Sequence, residues 1–251
     1  MLRISVRGKS KSRNLFRDLK FQKKVVYRMG STTPLNEITQ RRNVIEINPI
    51  DACITSSNKI LMKELFNQFE VITAKHIVPQ SEEDIINFIE ENGTVIAKHK
   101  YSSRGRGLHL YKSVEEYNNN PLHNYRDYVF EKYHTYTREY RLHCTQDECF
   151  HASRKVLVEN AQDRWHRHAS NSTYIKEDNL MFNKPDNWED IVKEACKAIK
   201  SVGLHIGAVD VKVARNGNFI ILETNSCPAL GEGTLQKYKT QITKIVKCLD
   251  F

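Results

Sequence analysis

The sequence predicts an α+β (α/β) fold, and three observations carry that prediction. Short apolar stretches of strand length, such as Thr94-Val-Ile-Ala-Lys98, are interleaved with amphipathic helical stripes. Gly, Pro and Ser/Thr clusters punctuate the chain between them. The apolar and charged fractions, 39% and 27%, are those of a soluble globular chain, and no apolar run approaches the ~20 residues that a membrane span needs. A length of 251 residues allows one large domain or two to three small lobes sharing a core.

Val25-Val-Tyr27 and Val44-Ile-Glu-Ile47 are expected strands around a Ser/Thr/Pro loop at 31–34. A helix is expected from Ser56 or Ser57 through Lys59-Ile-Leu-Met-Lys-Glu-Leu-Phe66. Ser81-Glu-Glu-Asp84 has the form of a capping box, and Ile85, Phe88 and Ile89 make one apolar face that stops at Gly93. The strand 94–98, a loop at 101–107 and the strand Leu108-His-Leu-Tyr111 follow, then a short helix capped by Ser113. Strands are expected at 126–133, 138–145 and 149–158, the last two joined by a Gln-Asp turn. Asp186-Asn-Trp-Glu189 opens an amphipathic helix with Ile191, Ala195, Ala198, Ile199 and Val202 on one stripe and Gly203 as its stop. A last helix from Thr234 turns Leu235, Tyr238, Ile242, Ile245 and Leu249 inward.

The net charge of +9 is unevenly placed. Arg3, Arg7, Lys9, Lys11, Arg13, Arg17, Lys20, Lys23, Lys24 and Arg28 face the single acid Asp18 within the first 28 residues, so this segment alone carries the surplus. Such a segment attracts something acidic, whether a phosphorylated substrate, an acidic peptide or nucleic acid, or it is simply a solvated face. The six cysteines form no CxxC pair, and the first residues lack the apolar core of a signal peptide. Reduced thiols and a cytoplasmic location are therefore expected.

The chemistry gathers in Ala208-Val-Asp210-Val-Lys212-Val-Ala-Arg-Asn-Gly-Asn218-Phe-Ile-Ile-Leu-Glu223-Thr-Asn225. Asn216-Gly217 between apolar stretches is a hairpin signal. With a two-residue turn, Arg215 faces Asn218, Asp210 lies opposite Glu223, and Asn225 follows two positions on along the same face. Opposed carboxylates repel unless a cation lies between them. Asp, Glu and Asn are hard oxygen donors suited to magnesium, which keeps waters and substrate phosphates as its other ligands. The bland alternative is a solvated hairpin with two chance acids. Ser226-Cys227-Pro228-Ala229-Leu230-Gly231 then leaves the strand through a proline loop, a natural place for a substrate pocket.

Upstream, Lys98 ends a strand just before Tyr101-Ser102-Ser103-Arg104-Gly105-Arg106-Gly107. Glycines let backbone N–H groups approach anionic oxygens, and the serines and arginines add donors and charge. Neither a P-loop nor a dinucleotide fingerprint is present. The strand ending Glu131-Lys132-Tyr133 can offer its backbone to an adenine edge, Glu139 can take ribose hydroxyls, and Arg141 a phosphate.

A strand lysine, a Ser/Gly/Arg loop, a Glu-Lys linker, a Glu-Tyr-Arg strand and Asp…Glu-x-Asn-x-x-Pro, in that order, resemble the ATP-grasp superfamily over roughly residues 55–232. The ribosomal-protein glutamate ligases, glutathione synthetases and related carboxylate–amine ligases are the members most similar in pattern. The resemblance implies two α+β lobes clasping the nucleotide after a short basic N-terminal lobe, with bounds 1–75, 76–133 for the central lobe and 134–251 for the metal-bearing lobe. It implies that Lys98 and the loop 102–107 hold phosphates of ATP, Glu131 to Tyr133 the adenine, and Glu139 the ribose. Asp210, Glu223 and Asn225 would hold one or two magnesium ions, a role manganese could fill. Arg141 and Lys155 would stabilise the reacting phosphate or carboxylate, with Lys212 as a weaker third. The run Trp165-His-Arg167-His168-Ala-Ser-Asn171 could bind a metal or stack a base, but zinc lacks cysteine partners there. Its place in the family pattern puts Arg167 and Asn171 at the active site.

The activity implied is ATP-dependent ligation of a carboxylate to an amine through an acyl-phosphate, releasing ADP and phosphate. Two other readings stay open: a kinase of an acidic small molecule on the same scaffold, and a nucleotide-responsive module that binds nucleic acid or protein. The substrates implied are small molecules, peptides or proteins, with no membrane partner; oligomeric state is open. The short N-terminal lobe and Ala229, where many members carry glycine, depart from the family.

Overall fold

The computed structural model describes residues 2–6, 16, 18–33, 44–102, 105–162, 164–168 and 170–249. Ser103 and Arg104 of the glycine loop lie outside these residues, as do Arg7, Lys9, Lys11, Arg13, Arg17 and Pro34.

Three sheets organise the described residues. Strands β1 (Leu2–Val6), β2 (Lys24–Met29) and β3 (Val44–Ile47) run parallel in the order β1-β2-β3. Strands β4 (His76–Ile77), β5 (Val95–His99), β6 (Leu108–Tyr111) and β7 (Tyr128–Lys132) form an antiparallel sheet in the order β4-β7-β5-β6. Strands β8 (Arg138–Thr145), β9 (Cys149–Leu157), β10 (Ser172–Lys176), β11 (Ile206–Val213) and β12 (Phe219–Asn225) form a second antiparallel sheet in the order β10-β9-β8-β11-β12. The α-helices among the described residues are α1 (Ile50–Ser57), α2 (Lys59–Gln68), α3 (Glu82–Asn92), α4 (Val114–Asn119), α5 (Trp188–Ser201) and α6 (Glu232–Leu249).

Local signals explain most boundaries. Ser81 and Asp84 close the capping box of α3, and Gly93 ends it at φ 70°. The helix expected from Ser56 or Ser57 is two helices broken at Asn58, whose extended backbone lets its side chain cap Ile60 and Leu61. Helix α6 starts two residues before Thr234. Its last inward residue is Val246, while Leu249 is 43% exposed. Strands β1, β4 and β10 and helix α1 carried no distinct pattern of their own.

Alternation divides the five-stranded sheet. Tyr140, Leu142, Val209, Val211 and Val213 point to one face and pack against Ile191, Ala195, Ala198 and Ile199 of α5. Helices α1 and α2 add Ala52, Cys53, Met62 and Phe66 to the same core, though they precede the four-stranded sheet. Helix α6 covers the parallel sheet, setting Tyr238, Ile242 and Val246 on Val25, Tyr27 and Ile47. The four-stranded sheet buries Val95, Ala97 and Phe130 with Ile85, Phe88 and Tyr117 of α3 and α4. Each such burial contributes about 1.5–3 kcal/mol of transfer free energy. All six cysteines are free thiols. Among the described residues no helix is long and apolar enough to cross a membrane.

The β11–β12 hairpin corrects the turn expected for it. Ala214, not Arg215, faces Asn218: its N–H donates to the Asn218 carbonyl at 2.8 Å, leaving a three-residue loop. A two-residue turn of the expected type needs φ > 0 at both central positions. Gly217 complies at φ 89°, but among the described residues only Glu70 and Asn183 do so without being glycine, so Asn216 does not. The loop shifts the register by one residue, and a bulge at Leu222 shifts it back, because Val211 pairs with Ile221 while Asp210 pairs with Glu223. Asp210 therefore does oppose Glu223, through two deviations that cancel.

Candidate functional site

The face of the five-stranded sheet turned away from α5 carries rows of polar side chains. One row, read across β10, β9, β8 and β11, is Tyr174, Lys155, Glu139 and Lys212. The next is Ser153, Arg141, Asp210 and Glu223, across β9, β8, β11 and β12. A third is His151, His143, Ala208 and Asn225. Strand phase alone gathers these residues from positions 139 to 225.

Ion pairs knit the rows together. Arg141 grips Asp210 with two bonds of 2.7 Å and lies 5.4 Å from the Tyr174 ring centre. Burial alone would raise the Asp210 carboxyl, but Arg141 and Lys155 hold it below its usual range. Lys155 donates to Glu139 at 3.0 Å and to the Arg167 carbonyl at 2.6 Å, and Arg167 Nη1 reaches Glu139 at 3.4 Å. Burial would depress the Lys155 ammonium, yet Glu139 and Asp210 hold it raised. Lys212 lies 5.4 Å from the Tyr133 ring centre, and burial lowers it to about 8 despite Glu139.

Residues of the four-stranded sheet and its flanks approach this face. Lys98 on β5 donates to Glu131 on β7 at 2.8 Å, and the Glu131 carboxylate is buried between Lys98 and Lys63. Burial would raise Glu131, but the two lysines bring it to about 2, while burial lowers Lys63 to about 8. The N–H groups of Lys132 and Tyr133 are donated to the Lys75 and Thr94 carbonyls at 2.8 and 2.9 Å. Beyond β5, Gly105 and Gly107 take φ 76° and 62°, with Arg106 exposed between them. A Cβ on Gly105 would sit 2.8 Å from His166 Nε2 and 2.9 Å from His168 Cβ, so the loop lies flush against the 166–168 segment. Ser102 is folded back, its hydroxyl donating to the His99 carbonyl at 2.8 Å. Tyr133 donates its hydroxyl to the Trp165 carbonyl at 2.7 Å, joining the two sheets. Asn171 accepts from the His168 N–H at 2.7 Å and donates to the His166 carbonyl at 2.9 Å, so its side chain shapes that segment.

No family model and no curated protein matches the sequence. Solved structures match most of it. ATP-grasp ligase PsnB, complexed with a minimal precursor, aligns at 15% identity and TM-score 0.62, over 88% of this chain and 78% of that one. Carboxyaminoimidazole ribonucleotide synthase from Aspergillus clavatus, complexed with ATP, aligns at 17% identity and TM-score 0.68, over 89% of this chain and 60% of that one. D-alanyl-alanine synthetase A from Vibrio cholerae aligns at 13% identity and TM-score 0.65, over 89% of this chain and 75% of that one. The chain has the ATP-grasp fold. It spans less than two thirds of the A. clavatus enzyme's length.

Within this ATP-grasp fold two side chains stand out that the sequence reading left without a role. Lys59, at the start of α2, donates Nζ to the Ser102 carbonyl at 2.5 Å and lies 3.6 Å from Glu223, tying the glycine loop to the hairpin. Lys63, one turn on, is 1% exposed and pairs with Glu131 and Thr73. The signal was present: Lys63 falls between Met62 and Phe66 on the buried stripe of α2, where an unpaired lysine would be costly.

The donor set suits a hard divalent cation. Asp210 and Glu223 present carboxylate oxygens from paired positions, and Asn225 adds an amide two residues on, its Nδ2 at 3.4 Å from Glu223. Among the described residues there is no cluster of three His, Cys, Asp or Glu side chains that could hold a metal.

Proposed function

We propose that this chain is an ATP- and magnesium-dependent carboxylate–amine ligase that forms an amide or peptide bond through an acyl-phosphate. The observation that carries the reading is the pairing of Asp210 with Glu223 on a sheet face crowded with Lys155, Arg141 and Lys212, opposite Lys98 and the Gly105–Gly107 loop. Anionic oxygens in transfer need cations on several sides, and these residues supply them from two sheets.

In this reading residues 1–75, 76–133 and 134–251 are the N-terminal, nucleotide-clamping and metal-bearing units. Lys98 and the loop 102–107 hold phosphates. The end of β7 from Glu131 through Tyr133 borders the adenine, with the Lys132 and Tyr133 N–H groups already held by Lys75 and Thr94 and the Glu131 side chain acting as an anchor for Lys98 and Lys63. Glu139 faces the ribose, and its pairing with Lys155 and Arg167 orients both cations. Asp210, Glu223 and Asn225 would hold magnesium, which when bound supplies Lewis-acid charge neutralisation at the phosphoryl oxygens. Arg141, Lys155 and Arg167 stabilise the phosphoryl group as a carboxylate oxygen attacks it and ADP departs. An amine then attacks the acyl carbon, loses a proton and expels phosphate. Asn171 positions the segment that closes on Gly105, keeping water from the acyl-phosphate.

Because PsnB is described with a precursor peptide, acidic peptides belong in the substrate pool beside amino acids and polyamines. ADP release is measured with magnesium and ATP against that pool, beside Asp210→Asn. Amine-dependent ADP that the variant lacks is the expected result. ADP release that ignores the amine would reassign the site to a kinase, and no release above the variant would sink the ligase.

A further inference from the structure

Among the described residues, each acid of the proposed site already holds a cation of the chain. Glu131 has Lys98 and Lys63, Glu139 has Lys155 and Arg167, and Glu223 has Lys59 at 3.6 Å. The pair Arg141–Asp210 differs in kind, because one guanidinium fork engages both oxygens of a proposed metal ligand, Nε to Oδ1 and Nη2 to Oδ2, each at 2.7 Å. The side chains are only 17% and 6% exposed, so water screens the pair weakly. A divalent cation approaching Asp210 would meet a like charge already seated there. A guanidinium whose fork is taken by Asp210 likewise cannot grip an incoming carboxylate or phosphate. Each member of the pair blocks the other's use.

We infer that Arg141 is an exchangeable counter-ion, which must leave Asp210 before that carboxylate can serve a metal and which then captures an anionic oxygen of the substrate. The inference rests on the ligase reading and adds its regulation: cation and anion each favour the other's binding. Tyr174 offers the departing guanidinium a second surface, since its ring already lies 5.4 Å away. By linkage the anion raises metal affinity by the same factor as the metal raises anion affinity.

The test reads binding rather than turnover. Calorimetric titrations of ADP at stepped magnesium concentrations give the half-saturating magnesium for wild type, Arg141→Met, Arg141→Lys and Asp210→Asn. Exchange predicts that both Arg141 variants need about tenfold less magnesium, because lysine keeps the charge but lacks the fork. If Arg141→Met shifts and Arg141→Lys matches wild type, the effect is charge alone and the exchange is overturned. It is equally overturned if neither variant shifts while Asp210→Asn loses magnesium dependence, an outcome that leaves the metal site standing. Wild type without magnesium-dependent ADP binding would overturn the inference and the ligase reading together. In a second arm, inorganic phosphate is the anion probe, and magnesium is stepped through the same free concentrations with and without it. It should lower the half-saturating magnesium of wild type and leave Arg141→Met unchanged; an equal response in both would overturn the coupling.

Discussion

The two faces of the five-stranded sheet are made from the same strands, yet they obey opposite rules. On one, Tyr140, Leu142, Val209 and Val211 pack against α5 and need only fit and apolarity. On the other, Glu139, Arg141, Asp210 and Lys212 alternate with them along β8 and β11, the two acids buried and the two cations half-buried. Strand alternation thus places groups that favour folding one residue from groups that folding tolerates only in pairs. Neighbours in sequence should therefore fail in different assays.

The widest separation should come from Asp210→Asn against Leu142→Ala. The first is expected to cut magnesium-dependent ADP release by the folded protein by about 1,000-fold, ~4 kcal/mol in the barrier, beside a stability cost from leaving the Arg141 guanidinium without its partner. The second removes a side chain with no exposure and should lower unfolding free energy by about 2–5 kcal/mol in denaturant titration, with the ADP-release rate of the folded fraction retained. Loss of both properties in both variants would erase the division between the faces.

A pH series sharpens it. Glu131 lies at about 2 in the fold against its ordinary 4.5, so its contribution is fully present above pH 4.5 and disappears as pH falls towards 2. That shift corresponds to ~3 kcal/mol at most, and the cost of burying the Lys63 ammonium offsets part of it. Glu131→Gln should flatten this acid limb of the stability curve. A variant that keeps the wild-type slope between pH 4.5 and 2 would show that other carboxylates drive it.

Lys212 gives a smaller effect of the opposite kind. Burial lowers its ammonium to about 8, so ADP affinity should weaken several-fold as pH rises through 8, when the positive charge is lost. Lys212→Met should bind weakly and without that pH dependence. The smallest change is expected from Gly105→Ala, where φ 76° and the close approach of His166 cost about 1 kcal/mol and loosen ADP binding less than tenfold.

Much of this division was legible in the sequence because alternation and capping are local. The Ser81 box and the Gly93 and Gly203 stops follow from neighbours a few residues apart, whereas the opposition of Asp210 and Glu223 was reached from a turn one residue too short, an error that the bulge at Leu222 cancels. The break at Asn58 was harder, since Ser56, Ser57 and Asn58 can each cap a helix and only packing selects among them. Lys59 and Lys63 were missed for a related reason: their partners, Ser102, Glu223 and Glu131, come from two other sheets. The grip of Arg141 on Asp210 joins adjacent strands that lie 69 residues apart in the chain, and no spacing rule links them.

The bulge at Leu222 has a consequence for how kin of this chain should be sought. Removing Leu222 would leave Asp210 opposite Glu223, and so would trimming one residue from the three-residue loop, because neither change alters the phase of the strands beyond it. The separation of 13 positions between the two acids (223 − 210) is therefore not what sets their opposition. A search that counts residues across this hairpin will pass over relatives whose insertions fell elsewhere, whereas one that matches strand phase on either side of the turn will retrieve them.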